Sequence, residues 1–521
     1  MQQSPGRIRQ HLERRPSIRF SRLFPLFLLL SGCQLLDHPN GRAELPNVVV
    51  ILADDLGWGD LGFYQGASKI PTRNLAILAS EGVIFTDAHS PSAVCTPTRY
   101  GLLTGRYAWR SRLESGVLGG RSPALIEAGR RTLPSLLSEV GYHTVGVGKW
   151  HLGLQEKGPT DYSRPLRPGP VTQGFDTYFG IPASLDMEPY LWIEGDGVEA
   201  LATETVSASK QRRKGGGGFW RAGAIAPGFR HEDVLVRVGE RAVFEIEAHA
   251  RGNDGKPLFL YLPLPAPHTP WMPVEEVRGA SGAGDYGDFV VQVDGLVGSV
   301  MAALERGGMA ADTLLIFTSD NGAHWLESDI ERYGHLANGN WRGQKADIHE
   351  GGHRVPFVVR WPAQMRARGI EGSRRDDLLC LTDIFATIAE VVGLSMPDAA
   401  AEDSFSQLGA ILAVEGTQEP RQNIVHHSLS GLFAIRQGRW KLILGRGSGG
   451  FTAPRRIDPK KLAAGEPHGQ LYDLVSDPGE SRNLYNDHPA VVERLTELLE
   501  KLRKDRRSRS GGAGDAERAT R

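Results

Sequence analysis

Four short apolar runs along the chain each end in a cluster of polar residues. They cover residues 47–53, 142–148, 258–264 and 313–319 and are rich in β-branched and other apolar side chains. Runs of this length are long enough for one buried strand and too short for most helices. The pattern therefore predicts four strands of a parallel α/β sheet.

The polar clusters follow directly after these predicted strands. Open parallel sheets bind ligands in the crevice beyond the carboxyl ends of their strands, so we expect the four clusters to meet at one rim. That convergence predicts a functional site. Its residues are Asp54, Asp55, Lys149, His151, His268, Asp320 and Asn321.

Two of the clusters, Asp54-Asp55 and Asp320-Asn321, offer only oxygen ligands. Oxygen donors suit a hard divalent cation such as calcium or magnesium, and three carboxylates with a flexible ligand count favour calcium. A single Asp-Asp pair after a strand is more often a turn or a helix cap. The second pair is what favours a metal site.

Cys95 opens the segment Cys95-Thr-Pro97-Thr-Arg99, which a helix-like stretch follows. At a helix N-terminus, free N–H groups and the helix dipole favour an anion, and Pro97 fits a first turn that needs no amide donor. A cysteine on its own is more often a small buried hydrophobe. The segment predicts an anion-binding position that other residues must support.

That support comes from five basic side chains. Cleavage of an anionic ester needs several cations and at least one proton donor. Single lysines and histidines are more often surface or core residues, but three of these follow predicted strands. The set is Arg99, Lys149, His151, His268 and Lys345, and the possible further substrate contacts are His324, His335, His349 and His353.

From about residue 46 to residue 484 the chain resembles the type I sulfatases of the alkaline phosphatase superfamily. The motifs are Cys95-x-Pro-x-Arg99, Lys149-Trp-His151-Leu-Gly, Ser319-Asp-Asn-Gly322 and Lys345. The resemblance implies that Cys95 is oxidised after translation to formylglycine, whose hydrate is the nucleophile. It also implies a partner enzyme that generates the formylglycine.

The resemblance further implies a role for each site residue. One hydrate oxygen attacks sulfur while His268 protonates the leaving alcohol, and His151 then takes the proton of the second hydroxyl, which expels sulfate. Arg99 and Lys149 hold the hydrate. Lys149, Lys345 and one calcium ion neutralise the sulfate oxygens. The implied calcium ligands are Asp54, Asp55, residue 95, Asp320 and Asn321.

The expected fold class is α/β, with a large mixed, mostly parallel sheet sandwiched by helices. A smaller C-terminal α+β domain with a short antiparallel sheet is expected beside it. Local patterns predict a helix over 376–392 capped by Gly393, a hairpin of 431–436 with 439–444, and a last helix over 490–502. The expected divisions are a signal peptide (1–33), a catalytic domain (45–395), a C-terminal subdomain (422–502) and a disordered tail (503–521).

The N-terminus carries a targeting signal. Arginines precede an apolar run, residues 23–30, that is too short to span a bilayer, and Leu30-Ser-Gly-Cys33 resembles a bacterial lipobox. An ordinary signal peptide with a chance cysteine is the alternative. Either predicts export, and lipidation of Cys33 predicts a membrane-anchored lipoprotein of the periplasm or outer membrane. Cys380 is then the one unmodified cysteine, expected in the core.

Composition fits an enzyme and indicates no nucleic-acid partner. The 521-residue chain is 40% hydrophobic with a net charge of −1, so it has no general basic bias. Loops between Lys149 and His268, including residues 184–190 and 214–220, and Trp325 after Asn321 suggest a rim that binds sugars. A sulfated glycan is therefore the expected substrate.

Three alternatives remain open on the sequence. A phosphodiesterase or phosphonate hydrolase of the same superfamily would use the same metal and cations. A phosphate monoesterase would use unmodified Cys95, which places a soft thiolate beside a hard cation. A glycan-binding lipoprotein without turnover would not need the five basic residues.

Overall fold

The computed structural model describes residues 45–252, 255–396, 399–414 and 420–510. The predicted signal peptide with Cys33 lies outside the described residues. The strands in chain order are β1 (Asn47–Asp54), β2 (Val83–Phe85), β3 (Ala88–His89), β4 (His143–Lys149), β5 (Thr177–Ile181), β6 (Ile193–Glu194), β7 (Gly197–Val198), β8 (Glu204–Val206), β9 (Gly223–Ile225), β10 (Leu258–Pro267), β11 (Thr313–Ser319), β12 (Phe357–Arg360), β13 (Ser373–Arg375), β14 (Leu379–Cys380), β15 (Asn423–His427), β16 (Phe433–Gln437), β17 (Trp440–Ile443) and β18 (Gln470–Asp473).

Helices cover this sheet framework. They are α1 (Arg73–Ser80), α2 (Cys95–Thr104), α3 (Leu133–Glu139), α4 (Val234–Gly252), α5 (Gly284–Arg306), α6 (Glu327–Tyr333), α7 (Glu350–His353), α8 (Pro362–Arg368), α9 (Asp383–Val391), α10 (Leu408–Leu412) and α11 (Pro489–Asp505).

A ten-stranded mixed sheet runs through the molecule in the order β13-β2-β12-β11-β1-β10-β4-β5-β6-β7. Its centre, β11-β1-β10-β4-β5, is parallel throughout. The four strands predicted from the apolar runs are all in this centre, as β1, β4, β10 and β11. They are buried along almost their whole length because helices flank the sheet. The predicted fold class is confirmed.

Helix α5 is long and apolar enough to cross a membrane on length and composition alone, and no other helix among the described residues is. Most of its apolar window is buried, and it packs against α1, α4 and β10. It is a core helix of this fold.

The C-terminal part holds a four-stranded antiparallel sheet in the order β15-β16-β17-β18. Helix α11 packs on β16 and β17 through Leu495, Leu499 and Leu502. The helix continues to Asp505, so the prediction of a disordered tail from residue 503 is wrong for its first part. Beyond the helix, Ser508 donates to the buried Asp403 carboxylate at 2.6 Å, and such an anchor is not visible in a basic, Gly-rich composition. Residues 511–521 lie outside the described residues.

The helix predicted over 376–392 is also shorter than expected. Strand β14 occupies Leu379–Cys380 and pairs with β3, and α9 begins at Asp383. The Asp383 carboxylate accepts the Cys380 N–H at 3.0 Å, which is a local bond, and pairs with Arg421, which is the long-range contact at the helix start. Cys380 is buried in the core, as expected.

A buried polar network joins the C-terminal sheet to the catalytic part. Lys441 Nζ lies 3.0 Å from Glu350 and 2.8 Å from Glu480. Beside it lie His89, His353 and His426, hereafter the histidine cluster. The His353 and His426 rings stack with centroids 3.7 Å apart, and the Nδ1 atoms of His89 and His353 are 3.0 Å apart.

Candidate active site

The ends of β1 and β11 are bound to each other by the residues that follow them. Asp55 adopts a left-handed backbone with φ of 66°, which turns its N–H toward Asp320 Oδ1 at 3.2 Å. Leu56 N–H donates to Ser319 Oγ at 3.0 Å. These bonds bring the two predicted oxygen pairs together, as the strand-end argument requires.

Cys95 is the first residue of α2 and is 2% exposed. Its Sγ lies 3.6 Å from Asp54 Oδ1. Burial raises the pKa of the Cys95 thiol well above its ordinary value, although Lys149 and Lys345 oppose the shift. A thiolate is therefore disfavoured here, which argues against a phosphate monoesterase that uses the unmodified cysteine.

The cations surround the carboxylates in buried ion pairs. Lys149 pairs with Asp54, and Lys345 Nζ lies 2.7 Å from the Asp55 carboxylate. Burial alone would raise the pKa of Asp54, but Lys149, His268, Arg99 and Lys345 outweigh it and hold that pKa well below its usual range. The pKa of Asp55 is lowered in the same way, chiefly by Lys345 against the effect of burial. Both side chains are carboxylates in the folded protein.

The pKa of Asp320 is shifted in the opposite direction from those of Asp54 and Asp55. Burial and the nearby Asp54 carboxylate raise the pKa of Asp320 to about 7, despite its contact with Arg99. A divalent cation among these groups would relieve the repulsion between the carboxylates.

The donor set fits a hard cation. Ligand atoms of Asp54, Asp55, Cys95 and His268 lie within 4.8 Å of one another. Asn321 donates its Nδ2 to Asp55 at 2.7 Å, which leaves its buried Oδ1 without a partner. A buried amide oxygen of this kind is a suitable calcium ligand. The group also contains the His268 ring nitrogen, which is softer than oxygen, and the Cys95 sulfur, which is the softest donor. An oxygen at position 95 would make that position hard.

The two histidines present different atoms to the site. His151 Nε2 lies 2.7 Å from Leu118 O and so carries its proton there, while Nδ1 is buried without a partner. Burial, with Lys149 and Arg99, lowers the pKa of His151 well below its ordinary value, so the ring is neutral and can accept a proton. His268 Nδ1 lies 2.6 Å from Thr269 O, and its Nε2 lies 3.8 Å from Asp55.

Cys95 opens onto a cavity of about 350 Å³, hereafter the inner pocket. Of the four further histidines considered as substrate contacts, only His324 lines it. The expectation was wrong for the other three, which serve the fold: His335 pairs with Asp60 at 2.8 Å, His349 lies 3.3 Å from Gln470, and His353 belongs to the histidine cluster. The inner pocket is lined by Val94, Cys95, Val117, His151, Ser184, Asp186, Met187, Gln211, Phe219, Arg221, His268, Thr269, His324, Lys345, Leu429 and Phe451.

Two of the aromatic residues expected at the rim, Trp220 and Trp325, do not line the inner pocket. Trp325 is buried and donates to His335 O at 2.9 Å, and Trp220 stacks on His231. Phe219, within the predicted loop 214–220, does line the inner pocket, as do Ser184, Asp186 and Met187 of the predicted loop 184–190. Phe451 lines it as well, but it belongs to no recognisable motif and comes from the C-terminal part of the chain, so the sequence pattern carries no signal for it.

The chain matches the sulfatase family model over residues 46–394. It belongs to the sulfatase family. The N-acetylgalactosamine-6-O-sulfatase of Bacteroides thetaiotaomicron is 35% identical over 93% of this chain and 99% of that protein. Human arylsulfatase A is 32% identical, over 88% of this chain and 87% of its own length.

A solved structure supports the same assignment for this sulfatase. It comes from a Bacteroides thetaiotaomicron locus for metabolism of multiple glycosaminoglycans, is 33% identical, and superposes with a TM-score of 0.76 over 88% of this chain and 100% of that one. The chain is thus a sulfuric ester hydrolase of the alkaline phosphatase superfamily. The hydrolase prediction is confirmed, against the phosphodiesterase and non-catalytic alternatives.

Proposed function

We propose that this sulfatase removes sulfate from a sugar unit of a sulfated glycan, using a formylglycine derived from Cys95 and one Ca²⁺ ion. Asp54, Asp55, Asp320 and Asn321 would hold the ion together with residue 95. The hydrated formylglycine supplies an oxygen nucleophile, and the bound cation neutralises charge on the sulfate. The buried Asn321 Oδ1 and the crowded carboxylates support this assignment.

The observation that carries the glycan proposal is a pair of unpartnered polar atoms on two residues that line the inner pocket. Ser184 Oγ and Asp186 Oδ1 are buried and have no hydrogen-bond partner within the described residues. Leaving such atoms unpaired costs about 1–3 kcal/mol each, which the hydroxyls of a bound sugar would recover. Phe219 and Phe451 offer apolar surface to the C–H face of a sugar ring.

Each of the remaining side chains would have a separate role in the reaction. Arg99 and Lys149 would compensate the carboxylates around residue 95 through their ion pairs with Asp320 and Asp54. His268 would hold a proton at Nε2, between Asp55 and the pocket, and give it to the leaving sugar oxygen. The neutral His151 would accept a proton at its unpartnered Nδ1 when sulfate is released. Lys345 would contact a sulfate oxygen from the pocket wall.

The N-terminal segment bears on where the protein is located and how it is modified. We propose that the chain is exported to the periplasm or outer membrane, with a lipid on Cys33, and that a formylglycine-generating or sulfatase-maturating enzyme modifies Cys95. Radiolabelled fatty acid incorporated into the wild-type chain and not into Cys33→Ala would support the anchor.

A panel of sulfated sugars tests the substrate. Sulfate release should be efficient from 6-sulfated N-acetylgalactosamine, the sugar named for the bacterial relative, or from another sulfated hexosamine, and slower from nitrophenyl sulfate. Asp186→Asn should lower kcat/KM on the sugar about tenfold or more and spare nitrophenyl sulfate, because only the sugar has hydroxyls to bind. Asp329→Asn is the matched control, since Asp329 is also buried and paired with an arginine, at 2.9 Å, outside the pocket lining. Equal losses on both substrates would contradict the sugar assignment.

A further inference from the structure

Next to the inner pocket lies a second cavity of about 730 Å³, hereafter the outer cleft. The two cavities share Val117, Met187 and Arg221 in their linings. The walls of the outer cleft are otherwise formed by residues 118–123, the Gly158–Pro159 turn and Glu188. The two cavities are therefore neighbours, and residue 95 lines the inner one.

We propose that the outer cleft is a second sugar subsite, which binds the unit next to the sulfated one in an oligosaccharide. This inference rests on the proposed glycan function. At about 350 Å³, the inner pocket is at the lower end of the range for small-ligand sites, enough for one sulfated monosaccharide. A glycosidic bond would leave the inner pocket past Arg221, the charged residue that lines both cavities.

The chemistry of the outer cleft fits hydroxyl groups better than a fixed anion. Arg121 donates to both oxygens of Glu188 at 3.1 Å, and Arg221 pairs with Asp186, so each arginine in the wall has a carboxylate partner. Arg121 and Glu188 are 41% and 29% exposed, which leaves donors and acceptors within reach of a ligand. A paired, half-exposed arginine and carboxylate can each make further hydrogen bonds to a sugar.

Glycines shape this cleft and allow a direct test. Gly119 lines it, and a Cβ added there would have Ser122 Oγ, 4.0 Å away, as its nearest neighbour. The Gly119 backbone does not have the positive φ that would strain a larger residue. Gly119→Trp should therefore fill the outer cleft without distorting the backbone.

The experiment compares a 6-sulfated N-acetylgalactosamine monosaccharide with a tetrasaccharide that carries the same sulfated sugar at its end. The wild type should show kcat/KM about tenfold higher on the tetrasaccharide, the gain expected from a few added contacts. Gly119→Trp should abolish this preference and keep kcat/KM on the monosaccharide within about twofold. Arg121→Gln should reduce the preference in the same direction. Gly62→Trp is the control, because Gly62 lines neither cavity and a Cβ there would meet open space.

Equal kcat/KM of the wild type on the two sugars would overturn the inference. So would a Gly119→Trp variant that slows both sugars alike, since the effect would then pass through Leu118 to His151. Hydrolysis of nitrophenyl sulfate with no hydrolysis of either sugar would instead show that the glycan proposal itself is wrong. The subsite proposal would then be wrong as well.

Discussion

Arg99 holds Asp320 with two of its nitrogens, Nε at 3.1 Å and Nη2 at 2.7 Å, although the two residues are 221 positions apart in the chain. Its third nitrogen, Nη1, donates to Lys149 O at 3.0 Å. One side chain on α2 thus ties the end of β11 to the end of β4. Arg99 is fully buried and does not line the inner pocket, so its role is to position other groups.

Arg99→Ala should remove both stability and activity. Taking away one partner of a buried ion pair costs about 3–5 kcal/mol in the free energy of unfolding, because a charge is left uncompensated. Arg110→Ala is a matched control, since Arg110 also binds a buried carboxylate, that of Asp403, through Nε and Nη2, at 2.8 Å each, away from the active site. Urea unfolding should show comparable losses for the two variants, whereas kcat per folded molecule should fall only for Arg99→Ala. Equal kcat for both would contradict the positioning role.

Cys95→Ala should abolish turnover and keep the fold, because the nucleophile is lost without a large cavity. Protein from a host that carries the modifying enzyme should be lighter than its sequence by about 18 Da at residue 95, the difference between cysteine and formylglycine. Cys380→Ala, at the other buried free cysteine of the described residues, should keep the mass deficit and the turnover. Full activity in protein with an intact Cys95 thiol would refute the formylglycine proposal.

Asp55→Asn should remove metal binding and lower activity by about a hundredfold or more, since it deletes an anionic ligand. Chelation with EGTA should have the same effect on the wild type, and added Ca²⁺ should reverse it. Asp294→Asn changes a buried carboxylate that instead binds the first turn of α1, at 2.8 Å from Leu75 N, and should keep its metal. Stoichiometric zinc in elemental analysis, with activity insensitive to EGTA, would contradict the calcium assignment.

His268→Ala and His151→Ala should differ in their dependence on the leaving group. A sugar alcohol needs a proton to leave, whereas nitrophenolate does not, so loss of a general acid costs about 10²–10⁴-fold on the sugar sulfate and much less on the aryl sulfate. His151→Ala should impair both substrates and leave sulfate bound covalently at residue 95, detectable by mass spectrometry after mixing. The same leaving-group dependence for both variants, with no trapped sulfate, would show that the two roles are assigned wrongly.

The histidine cluster should make stability fall in mild acid. Burial lowers the folded-state pKa of His89, His353 and His426, with further lowering of the His426 pKa by His89 and Lys441. The unfolded chain therefore binds more protons, so the stability contribution is present above the unfolded pKa of about 6.5 and is lost as pH falls below it. The other charged groups of this network are Asp87, Glu350, Arg354, Arg436, Lys441 and Glu480.

The loss should reach about 2 kcal/mol at pH 5 for each histidine that stays neutral in the fold. Urea unfolding between about pH 7.5 and 5 measures it. His426→Gln should flatten the pH dependence, and His468→Gln, at an exposed histidine, should leave it unchanged. An unfolding free energy independent of pH over this range in the wild type would contradict the argument.

The parallel core was predictable because its strands are buried on both faces and read as unbroken apolar runs. The start of α9 was not, since Asp383 is also held by Arg421, which is 38 residues away. The short strand β14 depends equally on its partner β3. Local periodicity carries no record of such long-range contacts.

The same division holds for the site. Asp54, Lys149 and Asp320 sit at or next to strand ends, where topology alone brings residues to one rim. Arg221 and Phe451 reach the inner pocket from long connections, whose course depends on packing rather than on periodicity. The convergence of the strand-end residues was therefore predictable from the sequence, whereas the positions of Arg221 and Phe451 were not.

The burial of Cys95 bears on whether its modification would come before or after folding. All ten residues of α2 are buried, and the Cys95 thiol points inward toward Asp54. If Cys95 is converted to formylglycine as proposed, the converting enzyme would have to act before α2 packs into the fold, because the thiol is buried and lies against Asp54. A chain that folds first would then keep its thiol, and the specific activity of a preparation would report the fraction of chains converted before folding.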